Sequence, residues 1–138
     1  MDLLETRRNI IVMLKKARII AVVGCSHTDG KPSHDVPKYL KDNNYRIIPI
    51  NPNVKEIFGE KSYNSIEDIP PIADLVLIFR PSNESLDIIK SAYKKGIRMA
   101  WLQEGIFSEE AEHFAKEHNM LFVMNRCMMK EHYKLSVN

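Results

Sequence analysis

Residues 19–33, IIAVVGCSHTDGKPS, decide the fold, because an apolar run there meets a glycine-bearing turn and then a polar segment. An unbroken run of β-branched and small apolar residues, such as 19–23, is typical of a parallel strand that is buried on both faces. The turn begins at Gly24 and leads toward a predicted helix. The stretch therefore has the strand, turn and helix start of one βαβ unit.

The same alternation continues along the chain. Further short, nearly all-apolar runs occupy 46–50, 75–79, 99–102 and 121–124. Stretches with helical periodicity occupy roughly 3–16, 34–44, 83–95 and 109–119, with Ser82 or Asn83 and Ser108 as N-cap candidates for the last two. This pattern predicts an α/β domain with a Rossmann-like, doubly wound, five-stranded parallel sheet and helices on both faces.

Composition is that of an ordinary intracellular domain. The chain has 138 residues, two cysteines and a net charge of +2 from 20 basic and 18 acidic residues. The cysteines form no CxxC pair, so we expect no disulfide framework, and the interspersed charges lack the basic patch of a nucleic-acid binder. No apolar run approaches the roughly 18 residues of a membrane span, and the N-terminus lacks a signal-peptide pattern. We expect a cytoplasmic protein that binds neither nucleic acid nor membrane.

No linker or repeat interrupts the sequence, so we predict a single domain over 1–138, with a leading helix over 1–16 and a core over 17–135. The amphipathic leading helix suits packing on its own sheet as well as packing on a second subunit. A homo-oligomer and a partner subunit both remain open.

Polar residues cluster where ligands of doubly wound sheets bind, at the carboxyl ends of the strands. Gly24 allows a close approach to the first turn, and the helix start beyond it offers free N–H groups to an anion. Arg80, directly after the third apolar run, suits a phosphate or a pyrophosphate. Two structural alternatives stay open: the turn is also what any strand–helix connection favours, and Arg80 suits a surface ion pair.

Two well-known phosphate motifs fit poorly. A P-loop has four residues between its glycines and Ser or Thr after its lysine, whereas here five residues separate the glycines and proline follows the lysine. The dinucleotide fingerprint has a second glycine where this chain has Ser26, and an acid after the second strand where this chain has Asn51. NAD is therefore not the favoured ligand.

Several pieces, in this order, form a recognisable set: IAVVGCS (20–26), KPS (31–33), YRIIPINP (45–52), GE (59–60), FRP (79–81), WLQEG (101–105) and NRC (125–127). The set resembles the small stand-alone CoA-binding domain proteins, which are related to the N-terminal domain of the succinyl-CoA synthetase alpha subunit. The resemblance covers residues 17–135. It implies a protein that binds coenzyme A (CoA) or an acyl-CoA and has no catalytic residue of its own.

The resemblance also implies which residues contact CoA. The glycine–serine turn and the helix start hold the ADP phosphates, the Asn-Pro loop and its lysine lie near the adenosine and 3′-phosphate, and the later loops border the nucleotide and pantetheine. The implied contacts are Gly24, Ser26, Lys31, Ser33, Asn51, Lys55, Phe79, Arg80, Pro81, Gln103, Gly105, Arg126 and Cys127. Pro37 departs from the pattern, because proline suits only the first helical turn, so we expect the helix to start near Asp35 or Val36.

Cys127 is the candidate reactive cysteine, because the neighbouring Arg126 favours its thiolate. We expect a mixed disulfide with CoA under oxidising conditions, unless Cys127 is a small buried hydrophobe. The set Cys25, His27, Cys127 and His132 fits no standard zinc spacing, so we expect no metal site.

Three classes of function compete. The leading one is a CoA-binding module. The second is an enzyme, either part of an acyl-CoA ligase whose partner carries an ATP-grasp domain or a nicotinamide-dependent oxidoreductase. The third is a scaffold that binds no ligand.

Overall fold

A computed structural model, which describes residues 2–136, has a sheet between two layers of helices. The strands are β1 (Ile19–Val23), β2 (Arg46–Ile50), β3 (Glu56–Ile57), β4 (Glu60–Lys61), β5 (Leu75–Ile78), β6 (Met99–Leu102) and β7 (Leu121–Val123). The α-helices are α1 (Leu3–Lys16), α2 (Pro32–Asp42), α3 (Ser85–Lys94), α4 (Glu109–Glu117) and α5 (Met128–Ser136), and 3₁₀ turns span Ile66–Asp68 and Ser82–Glu84.

The main sheet has five parallel strands in the order β2-β1-β5-β6-β7, and β3 and β4 form a separate hairpin. This confirms the predicted doubly wound sheet. The chain passes from β1 outward to β2 and then returns to the other side of β1 as β5. The strand order therefore reverses between β1 and β5, and such a topological switch point is where open α/β sheets bind ligands.

Side chains of each strand alternate between the two helical layers, because successive residues of a strand point to opposite faces. In β1, Ile20 and Val22 belong to the apolar cluster that includes residues of α1, α2 and α5, whereas Ala21 belongs to the cluster with α3 and α4. Trp101 of β6 is fully buried in the first cluster. The prediction of helices on both faces is confirmed.

The leading helix α1 packs on its own sheet. Asp2 caps its N-terminus by accepting a hydrogen bond from the Glu5 N–H at 2.7 Å, and Met13 and Leu14 are buried in the cluster with β1. No helix within residues 2–136 combines the length and the apolar character needed to cross a bilayer.

Helix α2 begins earlier than the sequence predicts. It begins at Pro32 rather than at residues 35–36, and Pro37 lies inside it. Proline lacks the N–H that would bond to the Ser33 carbonyl oxygen four residues earlier. That oxygen instead accepts a hydrogen bond from the Ser26 N–H at 2.9 Å. The predicted start is wrong because the turn after β1 fills the gap in the helical ladder.

Other elements also differ from the sequence-based expectation. The pattern does not predict α5 or the β3–β4 hairpin. Neither Ser82 nor Asn83 caps α3: the N-cap residue is Glu84, and the Ser82 hydroxyl accepts a hydrogen bond from the Phe107 N–H at 3.1 Å. Ser108 caps α4 as predicted.

Candidate functional site

A cavity of about 690 Å³ opens at the carboxyl ends of β1, β2 and β5, and we call it the switch-point cavity. Its volume falls within the range of about 300–1,000 Å³ that is usual for small-molecule sites. Seven of the thirteen residues that the sequence predicts to contact a ligand line it: Gly24, Ser26, Lys31, Ser33, Asn51, Phe79 and Arg80.

Gly24 forms the floor of the cavity, where the end of β1 lies against the residues that follow β5. Its φ is +83°, and a Cβ there would lie 3.0 Å from the Phe79 carbonyl oxygen and 3.1 Å from the Arg80 Cδ. The Gly24 N–H donates to the Ile50 carbonyl oxygen at 3.0 Å. Both the backbone conformation and the close contact therefore require glycine, and the floor is bare backbone.

The start of α2 forms one wall of the cavity. The side chain of its N-cap residue, Lys31, makes no capping hydrogen bond, and it has no ion-pair partner among residues 2–136. A helix N-terminus carries free N–H groups and a partial positive charge. The Ser26 hydroxyl accepts a hydrogen bond from the Thr28 N–H at 3.0 Å and so shapes the turn beside it.

A buried histidine fixes the loop between β1 and α2. The Nδ1 atom of His34 lies 2.9 Å from an Asp35 carboxylate oxygen, and its Nε2 atom lies 3.4 Å from Asp29. The same Asp35 oxygen accepts the Gly30 N–H at 3.1 Å. The hydrogen bond with His34, followed by the one from Gly30, holds the pKa of Asp35 below its ordinary value.

Asn51 shapes the cavity, because both ends of its side-chain amide are already bonded. Its Nδ2 donates to the Cys25 carbonyl oxygen at 2.9 Å, and its Oδ1 accepts the Asn53 N–H at 2.9 Å. Burial raises the pKa of the neighbouring Cys25 thiol to about 12, so this thiol stays protonated at neutral pH.

Arg80 lies in the cavity and is paired there. Its Nε and Nη2 donate to the two carboxylate oxygens of Glu84 at 3.1 and 2.9 Å, and both side chains line the cavity. The Arg80 side chain is 48% exposed and that of Glu84 42% exposed. The hydrogen bonds raise the pKa of Arg80. The ion pair that the sequence leaves open is therefore present, and it lies within the cavity.

The opposite wall comes from residues that the sequence analysis misses. Besides Glu84 they include Asn53, Asn64, Ser65, Glu67, Asp87 and Ser91. Tyr63 bridges to Ile50, which brings the segment before the first 3₁₀ turn alongside β2. A hydrogen bond from the Ser91 hydroxyl is the largest cause that lowers the pKa of Glu67. Most of this wall follows no strand end, so the pattern of strands and loops carries no signal for it.

Six predicted residues lie outside the lining: Lys55, Pro81, Gln103, Gly105, Arg126 and Cys127. Lys55 and Pro81 are exposed. The Arg126 carbonyl oxygen accepts the Trp101 indole N–H at 2.8 Å, and Cys127 is 5% exposed within the core. The mixed disulfide with CoA stays a prediction, and it would require the Cys127 thiol to leave the core.

The ends of β6 and β7 are joined to each other by their own hydrogen bonds. The buried Gln103 accepts the Met128 N–H at 3.3 Å and so holds the start of α5. The Gly105 N–H donates to the Asn125 side-chain oxygen at 2.8 Å. These polar groups form hydrogen bonds between loops of the protein itself.

The four side chains that the sequence analysis considers as metal ligands form no cluster among residues 2–136. Cys25 and Cys127 are both buried in the core, and the Nδ1 atom of His132 lies 2.9 Å from the Tyr39 hydroxyl oxygen. Within the described chain, no cluster of metal-ligand type includes these residues or His27.

Comparison with known proteins agrees with the fold. A family model described as "CoA binding domain" matches residues 18–133. The uncharacterized protein YneT of Bacillus subtilis is 32% identical over 127 residues, which cover 92% of this chain and 94% of that protein. A hypothetical protein from Pyrococcus horikoshii has a solved structure with a TM-score of 0.89 at 34% identity, covering 95% of this chain and 92% of that one.

An ADP-forming acetate–CoA ligase of Methanocaldococcus jannaschii is 33% identical over 127 residues, which make up 85% of this chain and 18% of the ligase. The chain therefore spans less than a fifth of that relative and nearly all of the Bacillus protein. Because the family model covers most of the sequence, this chain belongs to the family of CoA-binding domains.

Proposed function

We propose that the chain binds coenzyme A, free or acylated, in the switch-point cavity and catalyses no reaction by itself. The observation that carries the proposal is that the start of α2 and Arg80 line the same cavity, where the α2 N-cap makes no side-chain hydrogen bond and Lys31 has no ion-pair partner among residues 2–136. CoA carries a pyrophosphate and a 3′-phosphate, and helix N-termini and guanidinium groups are the protein groups that bind such anions best. Membership of the CoA-binding family supports the same ligand.

The cavity has two electrically different walls, which favours one orientation of CoA. The wall at α2 and the backbone floor at Gly24 suit the pyrophosphate. The opposite wall carries the carboxylates of Glu67 and Asp87. Phosphates would be repelled there, whereas the amino and hydroxyl groups of adenosine are hydrogen-bond donors that a carboxylate accepts. We therefore place the adenosine against that wall.

The lining offers no activated nucleophile. Among the described residues that line the cavity, Cys25 is the cysteine, and burial raises the pKa of its thiol to about 12. His27 and His34 follow Ser26 and Ser33 in sequence, but no histidine is among the described residues that line the cavity, and the His34 ring contacts Asp35 instead. This supports a binding module.

Ligand titrations test the proposal. At free CoA of 100 times the Kd, binding stabilises the fold by about 2.7 kcal/mol, which is roughly 5–10 °C in Tm for a domain of this size. We expect NAD and ATP to stabilise it much less, because Asn51 stands where a dinucleotide site has its ribose-binding acid. We also expect Arg80→Ala to weaken CoA binding by about one to two powers of ten.

The matched control is Arg46→Ala, which removes an exposed arginine from the amino end of β2 and leaves CoA binding unchanged. A larger stabilisation by NAD than by CoA would overturn the proposed function. Full CoA binding by Arg80→Ala would remove Arg80 from the site.

A second candidate function follows from the likeness to acetate–CoA ligase, of which this chain matches 18%. In that case the chain would supply CoA binding to a partner subunit that carries the remaining domains. A pull-down with this chain as bait tests this, because it should retain a subunit with an ATP-grasp domain. Mixing the isolated chain with acetyl-CoA, ADP and phosphate tests the non-catalytic role of the chain alone. We expect no ATP, acetate or CoA to form without a partner. Turnover by the chain alone would contradict the non-catalytic role.

A further inference from the structure

Glu84 holds the Nε–Nη2 edge of Arg80, one of the edges through which a guanidinium can bind a phosphate bidentately. We propose that Glu84 is a built-in competitor for the Arg80 guanidinium, which the phosphate of the ligand must displace on binding. Glu84 then limits the affinity for CoA and discriminates against ligands whose anionic group cannot displace a carboxylate. This inference rests on the proposed function.

The contact geometry shows the competition directly. The two carboxylate oxygens of Glu84 accept hydrogen bonds from Nε and Nη2 of Arg80, at 3.1 and 2.9 Å. A guanidinium presents its N–H donors in a planar fork, and the edge that fits a carboxylate bidentately also fits a phosphate. Both partners line the switch-point cavity. The same pair of donors cannot serve the carboxylate and a phosphate together.

The pair is built to be exchanged. Its partners are four residues apart and about half exposed, and pairs of this kind stabilise a fold only weakly. The Cδ atom of Arg80 lies 3.1 Å from the place where a Gly24 Cβ would stand. The Arg80 side chain therefore already lies beside the backbone proposed to hold the pyrophosphate, and the exchange requires only side-chain movement.

The displaced carboxylate is not trapped. Glu84 ends the 3₁₀ turn that leads into α3, and its side chain makes no capping hydrogen bond there. The side chain is 42% exposed, so once it leaves Arg80 the carboxylate can be solvated by water.

Isothermal titration with CoA tests the competition. Glu84→Gln removes the competing charge at nearly constant size, and we expect CoA to bind about threefold to tenfold more tightly. Glu84→Asp keeps the charge on a side chain that is one methylene shorter and cannot reach both nitrogens of Arg80, so we expect tighter binding there too. Asp42→Asn, which breaks the exposed Lys38–Asp42 pair of α2, is the control and leaves the Kd within about twofold.

The Arg80→Ala background separates competition from simple repulsion between Glu84 and the phosphates. Competition needs Arg80, so Glu84→Gln should change the Kd less than about twofold in that background. Equal tightening in both backgrounds, or no tightening by Glu84→Gln in the wild type, would overturn the inference. A wild-type protein that binds no CoA would instead overturn the proposed function. Measuring Tm for every variant confirms that each is folded.

Discussion

The two halves of the sheet's carboxyl edge use their polar groups in opposite ways. At the ends of β1, β2 and β5, which we call the open half, the start of α2 and the side chain of Lys31 face a cavity. At the ends of β6 and β7, the closed half, Gln103 holds the Met128 N–H and Gly105 bonds to Asn125. The same kind of strand-end loop thus lines a cavity in one half and forms hydrogen bonds between loops in the other.

The difference shows that a matching motif does not distinguish a ligand contact from a structural joint. WLQEG and NRC stand out in the sequence as clearly as IAVVGCS does. What separates them is the partner of each polar group. In the closed half, α5 is the next element after β7. The side-chain oxygen of the buried Gln103 accepts a hydrogen bond from the Met128 N–H at the start of that helix. In the open half, Lys31 has no ion-pair partner among residues 2–136, and the Arg80 guanidinium is held by the half-exposed Glu84.

The largest expected effect comes from adding one carbon to the floor of the open half. In Gly24→Ala the new Cβ would lie 3.0 Å from the Phe79 carbonyl oxygen, in a backbone conformation with φ of +83°. Strain and the close contact together should cost about 2–4 kcal/mol in the free energy of unfolding, and CoA binding should weaken as well. Urea unfolding and CoA titration measure both.

Gly30→Ala is the matched control, because Gly30 has φ of +93° in the same loop but no atom within 4 Å of an added Cβ. It should cost only the conformational part, about 1–2 kcal/mol. Equal losses for the two variants would show that the close approach at Gly24 contributes nothing.

The closed half should respond in stability alone. Trp101→Phe removes the indole N–H that donates to the Arg126 carbonyl oxygen at 2.8 Å, at a fully buried position. We expect a loss of about 1–3 kcal/mol in the free energy of unfolding, with the Kd for CoA unchanged. Phe122→Leu, which trims a buried side chain on the other face of the sheet, controls for packing. A large change in the Kd for Trp101→Phe would make the closed half part of the ligand site.

The smallest effect is a pH dependence of stability that comes from α5, the helix whose first residue is bonded to Gln103 of the closed half. Burial lowers the pKa of His132 on α5, which packs against the rings of Tyr39 and Tyr45. The unfolded chain therefore binds the proton more readily, so stability is greatest above pH 6.5 and falls as the pH drops from there to the lower folded-state pKa. His132→Gln should reduce this slope in urea unfolding between pH 7.5 and pH 5. Identical slopes in both proteins would contradict it.

Much of the fold is predictable from the sequence because burial on both faces requires apolar strands. The runs at 19–23, 46–50 and 99–102 match β1, β2 and β6 at both ends. The start of α2 is not predictable from local rules, because the gap left by Pro37 is filled by the Ser26 N–H, which comes from the turn before the helix. The start of α5 likewise depends on Gln103, which is distant in sequence.

The candidate site is predictable only where it follows strands. Gly24 directly follows β1, and Arg80 lies two residues after β5. Both are therefore found by the rule that ligands of doubly wound sheets bind at the carboxyl ends of the strands. Glu67 and Asp87 reach the cavity from a 3₁₀ turn and from the first turns of α3, and only the folded chain brings them there. The pairing of Arg80 with Glu84 is local, at four residues' separation, yet the sequence alone does not show that both face the cavity.

The most direct test of the central claim is an amide ¹H–¹⁵N correlation spectrum of the protein titrated with CoA, because it observes both halves of the edge at once. We predict large shifts in the open half, at the amides of Gly24, Ser26, Ser33 and Arg80, and small or no shifts in the closed half, at those of Gly105, Asn125 and Met128. Large shifts confined to the closed half, with the amides around Gly24 unmoved, would contradict the placement of the CoA phosphates in the switch-point cavity.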